Sequence, residues 1–246
     1  MNAEKKAINC LSASSKMALQ LVNESLASDS LDSKRASWHL FISNARCHFT
    51  PEHGTRFGIK GRNSSIMVTA WDELIAFAKS HPTSSKLQKL LALMQKDIVR
   101  DELLCLAAVW TICLEPLWFK LKSSNVVDSI NMLNSFIQLA SDSQHLDPAA
   151  LIKDGTKNCS LRVASLGDIA KEVFELLGTY KPLDELDFQD LLRKMLDSAA
   201  GYVRSLQGNW DVENVPSSLS KITFSNQVID IILNDTILNH YEMISY

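Results

Sequence analysis

The sequence predicts an all-α protein, a multi-helix bundle of about eight helices with at most one or two short strands. Three observations carry that expectation. Backbone breakers are scarce, with 8 Gly and 6 Pro in 246 residues, whereas a β architecture needs many turn residues. Apolar residues recur at three- and four-residue spacing over most of the chain. One stretch, residues 101–122, is apolar on nearly every side, the pattern of a helix enclosed by its neighbours. With 46% hydrophobic and 22% charged residues, the chain is long enough to bury a real core. Residues 1–52 read as an N-terminal helix with a Ser/Asp-rich connection, and residues 53–246 as the helical domain; one continuous domain is the alternative.

Taken in order, residues 3–27 form a first helix through Ile8, Leu11, Ala18, Leu19, Leu21, Val22 and Leu26, and the Ser/Asp stretch at 28–33 ends it. The apolar patch Trp38, Leu40, Phe41 and Ile42 is too brief to assign to helix or strand. Residues 44–63 hold Pro51, Gly54, Gly58 and Gly61 and read as a loop, with room for a short extended piece at 56–59. Residues 64–79 return to helical spacing until His81-Pro82 stops them. Ser84 or Ser85 caps the next helix, whose Leu87, Leu90, Leu91, Met94 and Ile98 share a face.

The apolar stretch 101–122 contains Pro116, which lacks an N–H and should kink or break the helix near Ile112. A helix begins at Asn125 and uses Val127, Ile130, Leu133, Phe136 and Ala140. Ser165-Leu166-Gly167-Asp168 resembles a capping box for a helix that Gly178 should close. Residues 186–206 carry the cleanest stripe, from Phe188 through Leu192, Met195, Leu196, Ala199 and Tyr202 to Leu206. A last apolar run at 228–238 reads as helix, with a strand at 228–233 as the alternative.

Charge and cysteine usage narrow the function classes. A net charge of -3 argues against nucleic-acid binding through overall charge and leaves a local basic patch. No run approaches the roughly 18 apolar residues of a membrane span, and the start, Met1-Asn2-Ala3-Glu4-Lys5-Lys6, lacks the apolar stretch of a signal peptide. The five cysteines, Cys10, Cys47, Cys105, Cys113 and Cys159, are scattered and odd in number. That fits reduced thiols in an intracellular protein, nuclear or cytoplasmic.

Four constellations could carry chemistry. His39, Cys47, His48 and His53 are zinc-ligand types, but without Cys-x-x-Cys or His-x-x-x-His spacing they read as loop histidines and a buried thiol, so no metal is expected. No nucleophile elbow or phosphate-binding glycine loop is present, and no cofactor is implied. Asp184, Glu185, Asp187 and Asp190 sit where acids complement a helix dipole. The fourth is a basic segment: Arg46, Arg56, Lys60 and Arg62 against Glu52 carry about +3, enough to hold a few phosphates, with Trp38, Phe41, Phe49 and Phe57 interleaved. These four basic residues are the candidate nucleic-acid contacts.

The order Gly-Thr-Arg-Phe at 54–57, Arg-Asn-Ser-Ser at 62–65, Leu-Leu-Ala-Leu-Met-Gln-Lys-Asp-Ile at 90–98, Leu-Leu-Cys-Leu-Ala-Ala-Val-Trp at 103–110 and Leu-Glu-Pro-Leu-Trp at 114–118 resembles hAT-type transposase-derived proteins. In that family a helical insertion interrupts an RNase H-like catalytic core. Thr55-Arg56-Phe57 would stand at the family's Thr-Arg-Trp-like segment, and Glu115-Pro116-Leu117 at its Leu-x-Pro-Leu-type helix. Ser225-Asn226-Gln227-Val228-Ile229-Asp230 is similar to the late Ser/Thr-Asn segment, which would make Asp230 the third metal-binding acid, where the family has Glu.

Upstream of Thr55 only Asp29 and Asp32 are offered, both in the Ser/Asp stretch rather than after an apolar strand. Two-metal phosphoryl transfer needs several converging carboxylates. The resemblance therefore implies a non-catalytic helical piece that binds nucleic acid or a protein partner. The other reading is an all-α interaction scaffold with no nucleic-acid role, docking a partner through a stripe such as 188–206 if that stripe is not core.

Overall fold

A computed structural model describes residues 3–28, 33–42, 45–52, 58–121, 124, 126–152 and 167–207. They are 81% helical, with no strand among the described residues. The helices are α1 (Ala3–Asn9), α2 (Ala13–Val22), α3 (Arg35–Ile42), α4 (Ile59–Thr69), α5 (Trp71–Lys79), α6 (Ser85–Met94), α7 (Asp97–Ala108), α8 (Glu115–Leu121), α9 (Val126–Asp142), α10 (Asp168–Thr179) and α11 (Glu185–Gln207). Two π-helical turns extend them, Asn23–Ala27 after α2 and Val109–Leu114 between α7 and α8.

The centre is the helix that the sequence marks as central. Every residue from Asp101 to Leu114 is buried. Around it α4, α11 and α10 pack on α7, α1 lies against α11, α9 against α11, and α2 against α6. The stripe of α11 is core: Leu192, Met195, Leu196 and Ala199 are fully enclosed. It therefore offers no docking face.

Local chemistry sets the element ends. Residues 3–27 do not form one helix. Ser12 breaks them by taking extended backbone, and its hydroxyl accepts from Ser15 N–H, capping α2. The brief patch at 38–42 lies in α3, with Trp38 fully buried against Phe49 and Phe77. Residues 64–79 are divided at Ala70 between α4 and α5, and α4 starts earlier than the sequence suggests, at Ile59. The expected loop therefore gives up its last residues to a helix. Gly58 stands before that helix with φ 86°, a conformation that costs a side-chain-bearing residue about 1–2 kcal/mol.

At Pro116 the chain widens instead of snapping. The Glu115 N–H reaches Trp110 O, five residues back, and the larger turn makes room for the proline ring that an α turn at Ile112 would lack. Gly178 lies inside α10, which Tyr180 closes, and Gly167 takes the N-cap position without a side-chain cap. Ser165 and Leu166 of the expected capping box, and the apolar run at 228–238 with its alternative strand, lie outside the described residues. So do residues 56–57 of the expected extended piece.

Candidate functional site

The basic segment is built into the core at its glycines. Glu4, on α1 and 5% exposed, accepts 2.8 Å hydrogen bonds from both Gly58 N–H and Gly61 N–H. A carboxylate there meets the free N–H groups and positive dipole end of α4, so an internal acid occupies the place a phosphate would take. Burial pushes the Glu4 carboxyl up, and the Gly61 and Gly58 N–H groups and Lys60 pull against that. The glycines also admit Trp110. A Cβ on Gly58 or Gly61 would meet the indole at under 3 Å.

The candidate phosphate contacts are placed as follows. Arg46 pairs with Asp168 at 3.1 Å and Glu172 at 3.6 Å on α10, and Lys60 pairs with Glu52 at 3.2 Å. Arg62 is exposed; burial pushes the Glu115 carboxyl up, and the Arg62 charge only partly opposes that. Arg56 lies outside the described residues, as do Thr55, Phe57, Asp29, Asp32 and Asp230. The structure thus sets Arg46 and Arg62 beside acids that the sequence places far away, and Lys60 beside Glu52 of its own segment.

Of the metal-ligand candidates, His39 and His48 meet with ring centroids 3.6 Å apart and 11° between planes. Stacked rings send their in-plane lone pairs side by side, not toward one ion. Cys47 is buried and its thiol is pushed up by burial, while His53 lies outside the described residues. Among the described residues no group of three or more His, Cys, Asp or Glu could hold a metal ion. The acids at the start of α11 do local work: Asp184 accepts from the Leu186 and Asp187 N–H groups, and Asp190 pairs with Arg193 at 2.6 Å.

Two buried acids on α7 act as Glu4 does. Asp101, 4% exposed, accepts from Tyr180 Oη at 2.6 Å and from Leu183 N–H at 3.3 Å. Glu102, 6% exposed, accepts from Ser12 N–H at 2.9 Å. Each ties a chain break to the central helix. Cys105, beside them and fully enclosed, has its thiol pushed well up by burial, then by Asp101 and Glu102, which makes it a poor nucleophile.

Sequence reasoning missed a cleft of about 370 Å³ between α4, α5, α7 and α10. It is lined by Thr69, Trp71, Arg100, Leu176 and Thr179 and by four carboxylates, Asp72, Glu73, Glu172 and Glu175. Arg100 lies between two rings, 5.3 Å from the Trp71 centroid and 5.2 Å from that of Tyr180. Its Nε is shielded from solvent and has no hydrogen-bond partner, and no carboxylate among the described residues pairs with it. The only signal in the sequence was an arginine among acids just before the apolar stretch at 101–122.

Fold and site together define an all-α protein with a mixed-charge cleft on one side of its central helix. No family model, no curated protein and no solved structure matches the chain.

Proposed function

We propose that the protein is a non-catalytic helical binding module that takes its ligand into the cleft between α4, α5, α7 and α10. One observation carries this reading. Arg100 is fixed between Trp71 and Tyr180 on the wall of a cleft, yet its guanidinium has no acceptor among the described residues. Polar groups set so firmly and left without partners are what a binding site keeps for its ligand. The buried acids support the non-catalytic part, since Glu4, Asp101 and Glu102 all hold backbone or tyrosine donors. Origin from a hAT-type helical insertion, and a place inside the cell, belong to the same proposal.

The test is a two-dimensional amide NMR titration with pooled metabolites. The expected result is shifts clustered at Trp71, Arg100, Leu176 and Thr179, removed when Thr179→Trp fills the cleft. Shifts confined to other surfaces, or none, would overturn the reading.

A second reading keeps nucleic acid as the partner. It is favoured by Lys60 and Arg62 standing on the first turn of α4 with Arg46 as the third cation. The acid partners of Arg46 and Lys60 are exposed, and such pairs are worth only about 0–1 kcal/mol, so phosphate could replace them. It predicts a salt-dependent mobility shift of labelled DNA that the Arg56→Ala, Arg62→Ala double variant weakens; no shift at low salt refutes it.

A further inference from the structure

We infer that the cleft binds a free basic amino acid, its carboxylate on Arg100 and its ammonium groups among Asp72, Glu73, Glu172 and Glu175. The inference rests on the cleft being the binding site. Three features lead to it. The first is size: about 370 Å³ stands at the small end of ligand pockets, which run to about 1,000 Å³, and suits an amino acid better than a nucleotide.

The second is the arginine. A cation over an aromatic face is attracted by the ring, but in this cleft the protein's own guanidinium already lies against both Trp71 and Tyr180. An external amine therefore gains little from the rings. The guanidinium is held in orientation, and its fork of donors matches a carboxylate. No carboxylate among the described residues meets that need, although four line the same cleft.

The third is the charge balance. Four carboxylates face one guanidinium, and Arg46 offsets only Glu172, from the Asp168 side. The cleft stays negative, so a ligand with one carboxylate alone would be repelled by the rim. A molecule with one carboxylate and two ammonium groups satisfies both ends.

The experiment is calorimetric titration of the full chain with L-lysine, with 1,5-diaminopentane, which is lysine without its carboxylate, and with Nα-acetyl-L-lysine, which stands in for a peptide's C-terminal lysine. L-lysine is expected to bind, and diaminopentane to bind about tenfold more weakly or worse, the loss of a charge-assisted pair. Arg100→Met should erase that difference, and Glu175→Gln should weaken both ligands. If Arg100→Met does not fold, Arg100→Lys serves, since it keeps the charge without the fork and should weaken lysine alone.

Diaminopentane binding as tightly as lysine, or lysine binding unchanged in the arginine variants, overturns the inference. Nα-acetyl-lysine binding as tightly as lysine overturns the free amino acid in favour of a peptide end. No lysine binding by a protein whose cleft responds to another pooled compound removes the ligand class and leaves the cleft standing. A cleft that responds to nothing removes both.

Discussion

Gly61 gives the sharpest test of how the centre is built. It lies in the first turn of α4, where alanine would normally be preferred to glycine by about 0.5–1 kcal/mol. A Cβ there would fall 2.6 Å from Trp110 Cβ and 2.7 Å from Cδ2, and closer still to Cγ. Trp110 is 3% exposed and belongs to the π turn beside α7, so neither the ring nor the backbone can retreat without disturbing the core.

Overpacking of this kind costs about 1–3 kcal/mol. The Gly61→Ala substitution keeps the N–H that Glu4 accepts, so the Cβ is the only change. Urea denaturation should therefore show Gly61→Ala destabilised by about 1–3 kcal/mol. In a Trp110→Ala background, which removes Cγ and Cδ2 and keeps only the Trp110 Cβ contact, the same substitution should cost less. A Gly61→Ala protein as stable as wild type, or an equal loss in both backgrounds, refutes the account.

Other expectations follow from the buried acids and the stacked imidazoles. Glu4→Gln keeps one acceptor and turns an NH2 toward a glycine N–H, costing about 1–3 kcal/mol. Burial raises the Glu4 pKa above 4.5, so its stability contribution is full below that value and lost as pH rises through the folded value. The wild-type advantage over Glu4→Gln in thermal melts should narrow above pH 4.5; a widening gap contradicts the burial argument. Tyr180→Phe leaves Asp101 with the longer Leu183 bond alone and should cost about 1–3 kcal/mol by urea denaturation, whereas a loss below about 0.5 kcal/mol would show that Asp101 finds another donor. His39 is depressed below 6.5 by burial, then by His48 and Arg35, so its contribution holds above 6.5 and is lost as pH falls through the folded value. NMR titration should find the His39 pKa raised in His48→Ala, and an unchanged value would mean that the stack carries no repulsion.

What could be read in advance follows from the range of the physics. Residues 101–114 and the α11 stripe were legible because apolar spacing is a local record of burial. The starts of α2 and α4 were not. The break at Ser12 is held by Glu102, ninety residues on, and the start of α4 by Glu4 and Trp110. No window around Gly58 contains those partners, and so its glycines read as loop. The basic residues were found by composition, but the α10 partners of Arg46 were not, because a charge pair leaves no periodic trace. The cleft was hidden for the same reason: Trp71, Arg100 and Tyr180 come from three separate elements.

The Glu4 cap also sets an order of events as the chain is made. α1 is synthesised before its partners: its acid has no donors until residues 58–61 follow, and it packs against α11. On a ribosome adding about 5–20 residues per second, that helix waits several seconds or more for its packing partner. α1 is thus among the last of these helices to be sheltered, whereas α4 finds its Glu4 cap already made. Folding of the centre should accordingly lag synthesis of α7, and a chaperone that holds nascent apolar helices would meet α1 before α11 does.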